Sequence, residues 1–111
     1  MSLCISETQR MYTVAQSDRE ANSDFEHNGI KLKKGQHVVT LLYTMSHDES
    51  VFPEADKFKP ERERPGENFL PFGSGPRNCI AQRFALIEIK LLMATILSRY
   101  RFEKCEKTIV N

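Results

Sequence analysis

Apolar positions in the last third of the chain recur with helical spacing. Ile80, Phe84, Ile87, Leu91 and Ala94 form one stripe over residues 80–100, and Leu86, Ile89, Met93, Leu97 and Tyr100 form another. Two stripes leave a helix apolar over most of its circumference, which predicts burial on several sides. A chain of 111 residues has little else with which to surround it, a first indication that the sequence is part of a larger fold. Near the start, residues 3–12 lack Gly and Pro and space Leu3, Cys4 and Met11 as a helix does. That helix sets Glu7 and Arg10 three apart, on one face.

Between these helices the pattern changes. Residues 24–43 read as extended, with Asn28-Gly29 between FEH and IKL as the signature of a two-residue hairpin turn. Lys34-Gly35 marks a second turn, and QHVVTLLY after it reads as a buried strand. Residues 44–71 are punctuated by Pro53, Pro60, Pro65, Gly66 and Pro71, so only short helical turns fit, PEADKF among them. The predicted class is mainly α with a small β part, an α+β arrangement.

Sixteen Lys and Arg against 15 Asp and Glu give a net charge of +1. This balance argues against binding nucleic acid, or an anionic membrane, by bulk charge. At 40% hydrophobic and 28% charged residues the composition is that of a globular protein. The longest uncharged apolar stretch in the C-terminal half, Leu91–Ser98, falls short of the ~20 residues of a membrane-spanning helix. MSLCISETQR has neither a basic start nor an apolar run, so no export signal is expected. Cys4, Cys79 and Cys105 are odd in number and contain no C-x-x-C pair, which argues against a disulfide scaffold and a zinc finger. His27, His37 and His47 recur every ten residues without an i,i+4 relation and read as surface or turn residues.

The chemistry is concentrated in residues 69–90, FLPFGSGPRNCIAQRFALIEIK. Glycines and prolines lead to Arg77, then to Cys79, then into the long helix. Such a loop delivers a sulfur to a helix N-terminus, where unpaired N–H groups and the dipole favour an anion. Gly73 and Gly75 lack a Cβ and let a flat or bulky group approach the backbone. Arg77 offers a planar fork of donors to a carboxylate, and Phe72 could shield one side. Other readings stay open on the loop alone: a phosphate loop without its GxxxxGK[ST] pattern, a buried lone cysteine, or a nucleophile served by a distant His.

The run Phe72-Gly73-Ser74-Gly75-Pro76-Arg77-Asn78-Cys79-Ile80-Ala81 resembles the haem-binding loop of the cytochromes P-450, F-x-x-G-x-R-x-C-x-G. Two further matches stand in the right order: Glu7-Thr8-Gln9-Arg10 resembles the E-x-x-R of that family's K helix, and Phe58-Lys59-Pro60-Glu61-Arg62 its F-x-P-E-R segment. The resemblance covers essentially the whole chain and is nearest to animal microsomal members. It implies a C-terminal portion of that fold: K helix about 2–12, β region about 24–43, meander about 52–71, cysteine loop 72–81 and L helix about 80–99. It implies haem b as cofactor, with Cys79 as axial thiolate ligand of the iron, pushing electron density toward O–O cleavage. Arg77 would pair with a haem propionate, and Arg19 is a second candidate for that task. Phe72, Gly73 and Gly75 would complete the cofactor site. Glu7, Arg10 and Arg62 would form a buried structural cluster that locks the loop core.

The implied activity is a monooxygenase with a small lipophilic substrate and an NADPH-dependent reductase on the proximal face. The implied location is the endoplasmic reticulum membrane, cytosolic face, anchored only through an N-terminal part outside this sequence. No nucleic-acid partner is implied. A peroxide-rearranging isomerase of the same family is a minor option. Without the resemblance, Glu7 and Arg10 would be a solvated pair and Arg62 part of a solvated E-R-E-R run.

The sequence departs from the family pattern at several points. Thr13 stands where a Pro is usual, Glu63 replaces an aromatic, Ala81 replaces a Gly, and only Glu63–Asn68 separate Arg62 from Phe69. The sequence starts inside the K helix, and the family's central oxygen-activating helix and most of its substrate pocket lie outside it. The rival expectation is therefore a non-catalytic fragment, a truncated form or a pseudogene product.

Overall fold

The first helix, α1 (Ser2–Met11), turns inward the face carrying Ile5, Glu7 and Arg10. The apolar residues that suggested the helix are not the ones it buries, since Leu3 is 57% exposed and Cys4 is exposed. The helix stops at Tyr12, whose backbone has left the helical region at φ −115°, ψ 50°. The Thr13 hydroxyl then donates back to the carbonyls of Gln9 and Arg10, both at 2.9 Å. A side chain thus satisfies end carbonyls where the family pattern places a proline.

This computed structural model describes residues 1–14, 16–64, 66 and 68–108. Pro65, Glu67 and Ala15, which fall in stretches singled out by the sequence, lie outside the described residues. Two compact units divide the chain, Met1–Cys79 and Ile80–Asn111.

The first unit contains two small antiparallel sheets. Strand β1 (Ser17–Glu20) pairs with β4 (His37–Thr40), from Ser17 opposite Thr40 to Glu20 opposite His37. Between them in sequence lies the hairpin of β2 (Phe25–His27) and β3 (Ile30–Leu32). Its two-residue turn needs positive φ at both positions, and Asn28 (50°) and Gly29 (80°) provide it. At the second turn Gly35 has φ 85°, and Ala21 exchanges backbone bonds with Gln36 (2.9 Å) and Gly35 (2.8 Å).

Two expectations are corrected here. QHVVTLLY is not one buried strand: the strand ends at Thr40, and Val38 and Val39 are 37% and 48% exposed. A two-stranded ribbon with no layer over it has nothing to bury valines against. Leu42–Ser46 instead form helix α2, which packs against α1. One helical turn places Leu42 and Ser46 on the same face, and both are buried. Strand β1 was absent from the expected β region because S-D-R-E has little of the β-branched or aromatic character of strands.

From His47 to Pro71 the described residues form turns without helix or strand. Asp48 starts one of them, its carboxylate accepting from the Ser50 N–H (2.9 Å) and hydroxyl (2.6 Å). Phe52 and Ala55 from this stretch join Ile5 and Leu42 as the buried apolar residues among those described.

The second unit holds helix α3 (Gln82–Leu97), with Ala81 as its N-cap at φ −86°, ψ 4°. Its φ is negative, so the position does not call for glycine and the exchange of Gly for Ala81 is accommodated. No residue of α3 is buried, and Phe84, Ile87 and Leu91 are each about two-thirds exposed. The burial that its apolar circumference predicts is not found among the described residues. Among the described residues no helix is long and apolar enough to cross a membrane.

Phe52 is 0% exposed and is the largest apolar side chain in the core. In the full-length protein, Phe52→Ala is expected to destabilise by about 3–5 kcal/mol, read from the midpoint of urea unfolding. A loss below about 1 kcal/mol would mean that the turn segment is not seated on this ring.

Candidate functional site

Glu7 projects from α1 into the first unit and is fully buried. Its Oε1 accepts from Arg10 Nη2 (3.0 Å), Arg62 Nε (2.9 Å) and the Lys59 N–H (3.0 Å). Its Oε2 accepts from Arg64 Nη2 at 3.0 Å. The structure therefore brings Glu7, Arg10 and Arg62 together and adds Arg64, which the sequence reading left in a solvated charge run. One signal could have found it: in an extended run, residues two apart point to the same side, so Arg62 and Arg64 share a face.

The three guanidinium groups also donate to main-chain carbonyls. Arg10 reaches Ser46 and Ala55, both at 2.6 Å. Arg62 reaches Pro53 (2.7 Å), Glu54 (2.9 Å) and Lys57 (3.0 Å). Arg64 reaches Arg62 (2.9 Å) and Pro60 (3.0 Å). Arg10 lies over the Phe52 ring and Arg64 over Phe69, 5.6 and 5.9 Å from the centroids. A segment without sheet or helix bonds thus has its carbonyls satisfied by buried cations.

Burial by itself raises the Glu7 carboxyl pKa. Hydrogen bonds from Arg10, the Lys59 N–H and Arg62, with the Arg10 charge, outweigh it and hold the carboxyl at about 2 instead of 4.5.

The cysteine loop is built by two glycines. Gly73 (φ 75°) and Gly75 (φ 74°) both occupy the left-handed region, which only glycine enters freely. A Cβ at Gly73 would meet nothing nearer than Asn78 Cα at 3.9 Å, and one at Gly75 nothing within 4 Å. Backbone conformation, rather than lack of space within the chain, is what these positions require. Gly75–Arg77 form a single 3-10 turn, closed by the Asn78 N–H on the Gly75 carbonyl (3.1 Å). The Cys79 N–H then donates to the Phe72 carbonyl at 2.8 Å.

Cys79, Arg77, Phe72 and Gly73 line an open cavity of about 420 Å³ that also receives Arg19, Val14 and Leu42. Gly75 is not among its lining residues. Arg19 comes from β1 and donates to the neighbouring Asp18 carbonyl (2.7 Å). Arg77 makes no side-chain hydrogen bond among the described residues. The cavity therefore joins one thiol, two available guanidinium groups and apolar walls, at a volume within the ~300–1,000 Å³ of ligand pockets. A soft sulfur donor with a fork for carboxylates fits haem, a flat apolar group carrying a metal and two carboxylates.

The remaining candidates lie elsewhere. His27 and His37 are exposed on β2 and β4, and His47 stacks on Tyr43 with ring centroids 4.1 Å apart. Cys4 and Cys105 are exposed free thiols. The Thr108 hydroxyl and the Lys107 N–H draw the Cys105 thiol pKa below its ordinary value.

The family model for cytochrome P-450 matches residues 1–111, and the chain belongs to that family. It is 38% identical over 116 aligned residues to cytochrome P-450 3A16 of Mus musculus, covering 97% of this chain and 23% of the relative. Against cytochrome P-450 3A5 of Homo sapiens the identity is 36%, with the same two shares. Against cytochrome P-450 3A19 of Capra hircus aegagrus it is 36%, with 97% and 53% covered. The chain thus spans about a quarter to a half of the length of these curated relatives.

Because the folded-state pKa of Glu7 is lowered, its contribution to stability is present above about 4.5 and is lost as pH falls through about 2. The shift corresponds to roughly 3 kcal/mol. Urea unfolding of the full-length protein between pH 7 and 2 is expected to show this loss and to lack it in Glu7→Gln, which is already destabilised at pH 7. An unchanged pH profile in Glu7→Gln would contradict the assignment.

Proposed function

We propose that this chain is the haem-binding part of a cytochrome P-450 monooxygenase, with haem b as cofactor. The supporting observation is that Cys79, Arg77 and Arg19, separated in sequence, line one cavity with Phe72 and Gly73. In this reading Cys79 would hold the haem iron through its sulfur, Arg77 and Arg19 would hold the propionates, and Phe72 would shield the sulfur. When bound, haem supplies activation of O2, from which one atom enters an organic substrate, with electrons drawn from an NADPH-dependent reductase.

The chain's own residues do the holding. The Cys79 N–H is already committed to the Phe72 carbonyl, so the sulfur leaves a fixed backbone. Arg77 carries its charge two residues before that sulfur, on a 3-10 turn whose φ values Gly75 sets. The Glu7 cluster braces the segment from which the loop departs. The reductase would dock on the proximal face beside Cys79, and the substrate would be small and lipophilic. The parent protein would sit at the endoplasmic reticulum membrane.

A second reading, a non-catalytic piece, draws on a separate observation: α3 exposes Phe84, Ile87 and Leu91 and buries nothing. Apolar surface of that kind favours aggregation unless another layer covers it.

In the full-length protein, the reduced carbon monoxide difference spectrum is expected to show a thiolate-bound iron, and Cys79→Ser is expected to abolish that signature while Cys4→Ser and Cys105→Ser keep it. A thiolate-type spectrum surviving in Cys79→Ser would overturn the ligand assignment. Expressed alone with haem and a reductase, residues 1–111 are expected to show no sharp cooperative unfolding and no substrate oxidation. Coupled turnover by that piece would overturn the second reading.

A further inference from the structure

We infer that Arg64 is a positioning residue for the cysteine loop, clamping the start of residues 69–79 to the buried carboxylate. The inference rests on the proposed role of Cys79 for its functional meaning, though its geometry stands apart from haem. Arg62 and Arg10 both bind Oε1 of Glu7, whereas Arg64 is the side chain that takes Oε2. Its own side chain is 10% exposed. Its Nε is buried with no partner among the described residues, and the guanidinium is held by its terminal nitrogens and by the ring beneath it.

That ring is Phe69, 5.9 Å from the guanidinium carbon. From Phe69 the chain runs directly into the loop: the Gly73 N–H bonds the Leu70 carbonyl at 3.0 Å, and the Cys79 N–H bonds the Phe72 carbonyl at 2.8 Å. Arg10 and Arg62 donate instead to carbonyls between Ser46 and Lys57 and hold the earlier turns. The two halves of one carboxylate therefore hold two different segments. Oε1 holds the turns around Phe52, and Oε2, through Arg64 and Phe69, holds the entry to the cysteine loop. Glu63, in the place of an aromatic, is exposed and contributes no such anchor. With only six residues from Glu63 to Asn68 between Arg62 and Phe69, Arg64 stands where one side chain can reach both Glu7 and the ring.

Amide hydrogen exchange on the full-length protein, without and with haem, separates these halves. The Lys59 amide reports on Oε1, and the Cys79 amide reports on the loop. Arg64→Ala is expected to speed exchange at Cys79 roughly fivefold or more while leaving Lys59 within about twofold. Phe69→Leu, which leaves every Glu7 partner in place, is expected to loosen Cys79 alone. Arg64→Lys, keeping the charge without the planar fork, is expected to restore less than half of the protection lost in Arg64→Ala. Unchanged Cys79 exchange in Arg64→Ala overturns the inference. Should Arg64→Ala unfold, unchanged Cys79 exchange in Phe69→Leu overturns it instead. Failure of the haem reading shows separately, as absence of a thiolate spectrum in the unmutated protein while the exchange pattern holds.

Discussion

One carboxylate, that of Glu7, holds the first unit together. Four donors converge on it from three arginines and a backbone amide, and the arginines in turn bind the carbonyls of a segment with no regular structure. Among the described residues the buried apolar core is Ile5, Leu42, Phe52 and Ala55. So small a core cannot by itself fix some 25 residues of turns, because each ordered backbone residue costs roughly 1–2 kcal/mol of entropy. Directional, charge-assisted bonds supply the geometry that nonspecific burial lacks.

The arrangement has a consequence for its own stability. Three guanidinium groups repel one another, and the carboxylate they share offsets that repulsion. Losing one partner of such a buried set typically costs 3–5 kcal/mol, whereas an apolar replacement of the whole set can be neutral. What the ions add is registry: each arginine specifies which carbonyls it will meet. Phe52 and Phe69 close the set from two sides, so that cation–π contact replaces part of the lost hydration.

The legible parts of the sequence were those governed by local rules. Helix spacing announced α1 and α3, and Asn28-Gly29 announced the hairpin, because the propensities act over a few residues. Glu7, Arg10 and Arg62 were legible only through family motifs, since two of them are 52 or more residues from the third. What escaped was set by tertiary context. S-D-R-E becomes a strand because β4 offers it a partner, and Leu42–Ser46 coil because α1 needs both residues on one side. Arg64 escaped because a charge run looks solvated until a buried carboxylate is known to face it. At the site, Cys79, Arg77, Phe72 and Gly73 were legible from loop spacing, and Arg19 joins their cavity from β1.

The cysteine loop shows why cluster and loop are built on different physics. The loop is short and exposed, with Gly73 and Gly75 in the left-handed region and one 3-10 turn between Gly75 and Arg77. Its internal bonds fix its shape: the Cys79 amide is tied to Phe72 and the Gly73 amide to Leu70. They do not fix its place, because all of them lie within the loop itself. Place must come from outside, and a loop that presents a sulfur to a cavity cannot be buried to obtain it. A rigid charged cluster one step back along the chain answers both needs. Through Arg64 and Phe69 it reaches the residues that enter the loop, while Cys79, Arg77 and Arg19 line the open cavity.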